Sequence, residues 1–314
     1  MGAENKTSAT EFILAGLSSH RRTQLLLFLV IFLIYILTLV RNLVIITLVR
    51  LDPRLHTPMY FFLTHLSILE ICYTTSTVPQ MLAHLFSGKG AISLARCAIQ
   101  MYTTMTLGGT ECFLLAVMAY DRYLAICHPL LYAVTMGRAR RWLLAMGSWA
   151  ICCLIAALNI GCTFHHPYCG PNHVNHFFCE LPLVLKLACA DTRVTEVIVF
   201  WTSVLVLLAP LSVVLTSYGL ILSFVLQMGS GATWRKAFST CASHLAVVTL
   251  FYGTLIFMYL KPQSDTAPDS GKQIAVFYIV VTPLLNPIIY TLRNKEVHGS
   301  VTKVLKKLGT GQNR

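Results

Sequence analysis

Seven apolar runs, each close to or beyond the ~20 residues that a helix needs to cross a ~30 Å hydrocarbon layer, constrain this chain more than any other feature. They cover residues 25–49, 58–82, 94–126, 142–162, 197–226, 237–260 and 274–292. Lipid supplies no hydrogen bonds, so each run must satisfy its own backbone as a helix. The expected fold is an all-α membrane protein, a seven-transmembrane helix bundle. Only 11% of the residues are charged, against about 25% in a soluble domain. The net charge of +12 is scattered between the apolar runs and does not line one face, which argues against nucleic acid as a partner.

Three segments follow: an N-terminal arm over 1–24, the spanning body over 25–292 and a tail over 293–314. The arm lacks the compact apolar core and cleavage site of a secretory signal, so the first span itself directs insertion. In the tail Val297, Val301, Val304, Leu305 and Leu308 recur at helical spacings among basic residues. That pattern predicts a short amphipathic helix lying on an anionic inner leaflet.

Orientation follows from lysine and arginine. The loops after the first, third and fifth runs, with the tail, carry 14 of the 24 basic residues, and the opposite side carries nine. The N-terminus is therefore expected outside the cell membrane and the C-terminus in the cytoplasm. Asn5-Lys6-Thr7 is then a glycosylation acceptor on the outer arm. The remaining basic residue, Arg41, falls inside the first run.

On the third run Thr104, Gly108, Glu111, Leu115, Met118 and Arg122 fall within ~80° of one helix face, and the stripe is about 27 Å long. It ends in Asp121 and Arg122, an acid and a base side by side at the inner mouth. Glu111 lies within the membrane on this stripe, and Glu70 lies in the middle of the second run. Intramembrane acids cost ~2.5–3.5 kcal/mol or more and usually face the protein interior. If their helices are neighbours, the two can share a proton or hold a cation such as sodium. Pro210, Pro283 and Asn286-Pro287 predict kinks in the fifth and seventh spans.

The segment 163–196 is long and holds Cys169, Cys179 and Cys189, which suggests a folded lid. Cys97, at the outer start of the third run, is a natural disulfide partner for one of the three in an oxidising compartment, and four cysteines allow three pairings. His173, His176, Cys179 and Glu180 have ligand-type side chains but not the spacing of a tetrahedral metal site, so no metal is expected there. His65 and His244 read as satisfied groups inside the bundle. No nucleophile constellation, metalloprotease helix or phosphate-cradling glycine loop appears, and an enzyme is not expected. A proton-coupled transporter with Glu70 and Glu111 as relay is the rival reading; the duplicated halves that would favour it are not evident.

Five words carry a family resemblance: LHTPMYFFLTHLSILE from Leu55, MAYDRYLAICHPLLY from Met118, SY at Ser217 and Tyr218, KAFSTCASHL from Lys236, and NPIIYTLRN from Asn286. From about Thr10 to Val304 the chain resembles a vertebrate odorant receptor of the rhodopsin-like G-protein-coupled class. The resemblance implies a receptor that binds small volatile organic molecules and activates a stimulatory heterotrimeric G protein, raising cyclic AMP. It implies that Arg122 engages the G protein, that Asp121 restrains Arg122 at rest, and that Tyr123, Tyr218, Lys236, Asn286, Pro287 and Tyr290 belong to the inner switch. It implies the disulfides Cys97–Cys179 and Cys169–Cys189.

By family position the ligand pocket takes Thr104, Met105, Gly108 and Gly109 from the third helix, and Thr202 and Val206 from the fifth. Tyr252, Leu255 and Tyr259 come from the sixth and Ile279 from the seventh, with Leu181 as a cap. Those residues are apolar or hydroxylated, which points to neutral ligands. The chain departs from the family at Arg41, where glycine is usual, and at Glu70, where aspartate is common.

Overall fold

The structure, a computed structural model, describes residues 10–18, 20–169, 172–228, 231–260, 272 and 275–292, without the side chains of 231–240, 257–260, 287, 288 and 290–292. Asn5, the tail helix proposed over 293–308, and the side chains of Lys236, Tyr259, Pro287 and Tyr290 therefore lie outside the described residues.

Among the described residues seven long helical segments correspond to the seven apolar runs. They are α1 (Arg21–Leu51), α2 (Pro58–Ser87), α3 (Leu94–Cys127), α5 (Arg138–Phe164), α7 (Arg193–Gln227), α8 (Gly231–Leu260) and a last segment that ends in α9 (Thr282–Leu292). Two short helices, α4 (Pro129–Thr135) and α6 (Leu181–Leu185), sit in the connections after α3 and α5. Proline occupies the first turn of α2, where its missing N–H leaves no bond unmade. The Ser93 hydroxyl caps α3 by accepting from the Arg96 N–H at 3.3 Å. Before Pro283 the last segment widens into one π-helical turn, Phe277–Val281. A wider turn suits a place where proline removes a backbone donor.

The bundle is apolar outside, and inside it combines an apolar core with buried polar groups. Leu26, Leu33, Leu154 and Leu215 point outward, while Ser67, Glu70, Thr74, Thr77, Thr110, Glu111 and Asn286 are buried. By length and composition α1, α5 and α7 each meet the requirement for a membrane span. In α2 and α3 the polar groups that dilute the apolar run face inward. α3 packs against α2, α4, α5, α7 and α8, so it is the axis about which the others are arranged.

One end is closed by a lid that brings distant segments together. β1 (Glu11–Leu14) lies between β2 (Ala91–Ser93), to which it is antiparallel, and β3 (His173–Val174), to which it is parallel. The arm over 1–24 was expected only as a chain terminus; instead Phe12 and Leu14 are buried beneath the lid beside Tyr168 and Val174. Leu14 donates its N–H to the Gly90 carbonyl at 2.9 Å. A side chain at Gly90 would overlap the Leu14 carbonyl, so the close approach requires glycine.

The lid is tied down covalently by Cys97–Cys179 and braced by Cys169–Cys189, with Cα separations of 5.6 and 5.9 Å. Beside the first bridge, the Cys179 N–H donates to Gln100 Oε1 at 3.0 Å, and Gln100 Nε2 donates to Gln80 Oε1 at 3.2 Å. Burial, with Lys272 nearby, pushes His176 down to about 4. His176 is therefore neutral near pH 7, and its 3.9 Å approach to Glu180 is not an ion pair there. Among the described residues no cluster of three metal-ligating side chains forms.

Candidate functional site

Beneath the lid a cavity of about 760 Å³ opens between α3, α5 and α7. Thr104, Met105, Gly108 and Gly109 supply its α3 wall, Thr202 and Val206 part of its α7 wall, and Leu255 and Ile279 reach it from α8 and the π-helical turn. Leu181, the first residue of α6, caps it. Tyr252 does not reach it. That ring is buried against the core, and its hydroxyl donates to the Cys112 carbonyl at 3.3 Å, because the rotation of α8 turns it towards the middle of α3.

The cavity also reaches residues absent from the expected pocket. Cys112, Cys152 and Asn159 enter the wall, Tyr73 and Tyr278 the floor, and Glu180, Lys186 and Glu196 the rim. A wall free of cations was expected, and Lys186 corrects that at the rim. Lys186 and Glu196 are exposed, however, so the charge stays at the mouth while the depth is apolar.

Two glycines make room. A Cβ at Gly109 would come within 3.1 Å of Cys152 Sγ and 3.3 Å of Val206 Cγ1, and one at Gly108 within 3.3 Å of the Tyr278 hydroxyl. Gly109→Ala is expected to push α5 and α7 aside by a few tenths of an ångström and to weaken binding of the bulkiest ligands most, by roughly tenfold for about 1.4 kcal/mol of overpacking. Dose–response curves for a graded series of ligand sizes check it, and equal potency across the series would refute it.

Directly below the floor lies a polar layer. Asn286 Nδ2 donates to Glu70 Oε1 at 2.8 Å and to Glu111 Oε1 at 3.2 Å. The two acids are thus brought together, as their helices allow, with an amide between them. Glu70 Oε2, Asn286 Oδ1 and the Oδ1 of Asn42, which adjoins Glu70, are buried without a donor. Tyr278, on the cavity floor, stands edge-on to Tyr73 at 5.8 Å and interacts with Glu111.

At the end away from the lid Asp121 is almost fully buried. The Tyr132 hydroxyl of α4 donates to Asp121 Oδ1 at 2.8 Å. Burial raises the Tyr132 pKa above the usual phenol value, and the adjacent carboxylate adds to the effect. No ion pair within 4.0 Å joins Asp121 to Arg122 among the described residues; Arg122 and Arg141 act on the carboxyl group at longer range, and its hydrogen-bond partner is Tyr132. Adjacent residues on a helix point about 100° apart, which separates the two side chains. Arg122 also acts electrostatically on Tyr218, Cys241 and His244. Tyr218 of α7 hydrogen-bonds His244 of α8 at 2.6 Å, and Tyr123 bonds His128 at 2.9 Å. The partnership of His244 was missed because a single histidine on an apolar run gives no hint of the helix facing it.

Comparison with known proteins follows the same outline. The family model described as olfactory receptor matches residues 31–308. Human olfactory receptor 2G3 is 48% identical over 305 residues, covering 97% of this chain and 99% of that one. Human olfactory receptor 9I1 is 47% identical over 308 residues, covering 98% of each chain. The crystal structure of squid rhodopsin superposes with a TM-score of 0.70 at 16% identity, covering 93% of this chain and 87% of that chain, a likeness of fold.

Proposed function

This chain belongs to the olfactory receptor family, and on that footing we propose that it binds small, volatile, neutral organic molecules in the cavity under the lid and activates a stimulatory heterotrimeric G protein, raising cyclic AMP. The lid end faces outward and the Asp121 end the cytoplasm, in keeping with the distribution of lysine and arginine. Asn5 is then available for glycosylation, and the basic tail for the inner leaflet. The family's proteins are receptors, not enzymes.

The observation that carries this reading is one of continuity. The cavity floor at Gly108 and Tyr278 adjoins the Glu70–Asn286–Glu111 layer, and the same helix that supplies Gly108 and Glu111 ends in Asp121 and Arg122. A ligand that moves Tyr278 against α3 shifts the balance of that layer, and α3 and α9 pass the change to the far end. Arg122, Tyr218 and His244 are the groups there that can rearrange towards a G protein, and by family position Tyr123, Lys236, Pro287 and Tyr290 belong to the same switch. A ligand does this only to the extent that it binds the two arrangements unequally.

The unpartnered oxygens of Glu70, Asn286 and Asn42 suit one positive charge, a sodium ion or a proton shared between the acids. The donor set is all oxygen, which fits a hard cation. Such a charge would hold the layer in one arrangement.

The test is a cyclic AMP reporter with a panel of volatiles, run in cells that contain or lack a stimulatory α subunit, with surface protein verified. A dose-dependent rise that needs the subunit is expected. Ligand-driven signalling that persists unchanged without it would refute the coupling, and uptake of a substrate driven by a proton gradient would favour the transporter.

A further inference from the structure

Part of the cavity wall is also the outside of the bundle. Phe200 and Leu208 of α7 line the cavity and yet are 59% and 52% exposed. Val204, one turn from each, lines it too and is half-buried, as is Ile155 on the α5 side. Residues 200, 204 and 208 recur every fourth position, so they form one edge of α7. Side chains that meet both the cavity and the exterior mark an opening along that edge.

The seam between α5 and α7 is lightly held. Both helices pack along α3 but touch each other sparsely. Among the described residues one hydrogen bond crosses between them, from the Thr202 hydroxyl to Asn159 Oδ1 at 3.0 Å, and its proton is shared with the Ile198 and Val199 carbonyls at 2.8 and 3.1 Å. His166, just past α5, ties the top of the seam to Thr195 at 2.9 Å. The approach from the lid is more obstructed. Cys179 is bonded to Cys97 and donates its N–H to Gln100, Leu181 and Leu185 are buried above the cavity, and the rim carries Glu180, Lys186 and Glu196.

We propose that the seam between α5 and α7 is the entrance to the cavity, and that it admits neutral, hydrocarbon-rich molecules already dissolved in the outer half of the bilayer. The proposal rests on the reading of the chain as a receptor for small volatiles with its lid outward. Phe200 and Val204 follow the exposed Glu196 by about 6 and 12 Å along α7 at 1.5 Å per residue, within the outer half of a ~30 Å hydrocarbon layer. An apolar molecule is enriched in that layer by about fourfold per methylene. The membrane therefore concentrates such ligands beside the opening, whereas the charged rim offers them nothing.

The test needs neither an agonist nor a G protein. Thr104→Cys, on the α3 wall of the cavity, places a reporter thiol there, and the purified receptor in lipid nanodiscs is treated with N-ethylmaleimide or with a quaternary-ammonium maleimide that stays in water. Labelling of that one peptide is followed by mass spectrometry, each rate being scaled to the reagent's rate on a free thiol. The uncharged reagent is expected to label faster. A charged reagent also enters an apolar cavity poorly, so added substitutions decide the route. Val204→Trp and Ile155→Trp, which fill the seam from either side, should each slow N-ethylmaleimide about tenfold, while Lys186→Trp at the rim and Leu33→Trp on the far lipid face should not. Melting of each variant shows that it is folded, and two seam variants guard against the loss of one. Seam variants that label at the unsubstituted rate, or slowing by Lys186→Trp alone, overturn the proposal and leave the receptor reading standing. Labelling through the seam by a protein that raises no cyclic AMP supports the entrance and counts against the coupling alone.

Discussion

Asn286→Leu is expected to destabilise the receptor by about 1.5–3 kcal/mol, the worth of a hydrogen bond to a charged group. The side chain it replaces donates to two buried carboxyl groups at 2.8 and 3.2 Å. Leucine keeps the branching at Cγ but is bulkier and cannot donate, so Glu70 and Glu111 face each other with no donor between them. Melting of the purified protein in detergent should show the loss, together with reduced surface delivery. Adding Glu111→Gln should restore part of the stability, since an amide then meets Glu70 and the repulsion disappears. Additive effects of the two substitutions would mean that the layer is not coupled.

The second large effect concerns Arg41. It sits on α1 ten residues before Leu51, about 15 Å from the helix end at 1.5 Å per residue, on a face with Leu37, Val40 and Val44 exposed. Arg41 itself is exposed and has no hydrogen bond or ion pair among the described residues. A charge that deep costs ~2.5–3.5 kcal/mol at insertion even with snorkelling. Arg41→Leu should therefore raise surface receptor several-fold, because changes of 1–2 kcal/mol already alter abundance by that much. Arg41→Lys should leave it low. Flow cytometry on an N-terminally tagged chain measures both, and equal surface levels for all three proteins would show that Arg41 has found a partner or water in the membrane.

Much of this architecture was legible because membrane helices are specified locally. A run of apolar residues decides its own backbone, so α2 and α3 begin where Pro58 and Leu94 mark them. Glu70 and Glu111 could be placed inside because an intramembrane acid has few other places to go. What escaped depends on partners remote in the chain. The four residues of β1 pair with segments on either side of it in space but far away in sequence, and no period in EFIL specifies that. The Tyr132 contact needs α4 folded back beneath α3. Asn159 belongs to the cavity wall and Tyr252 does not because the turn of α8 and α5 about their axes, not composition, decides which side chain meets the cavity. Tyr252 found a carbonyl, whereas half of the Asn159 amide found nothing.

The position of β1 between β2 and β3 also sets an order of events during synthesis. Ile13 leaves the ribosome about 160 residues before its neighbour His173. At about 5–20 residues per second the wait is on the order of ten seconds, during which α1, α2, α3 and α5 must enter the membrane. The first strand made is the last to be enclosed. Closure of this small sheet thus records that the intervening helices have arrived in place, and a chain stalled at any of them keeps an edge of β1 unpaired.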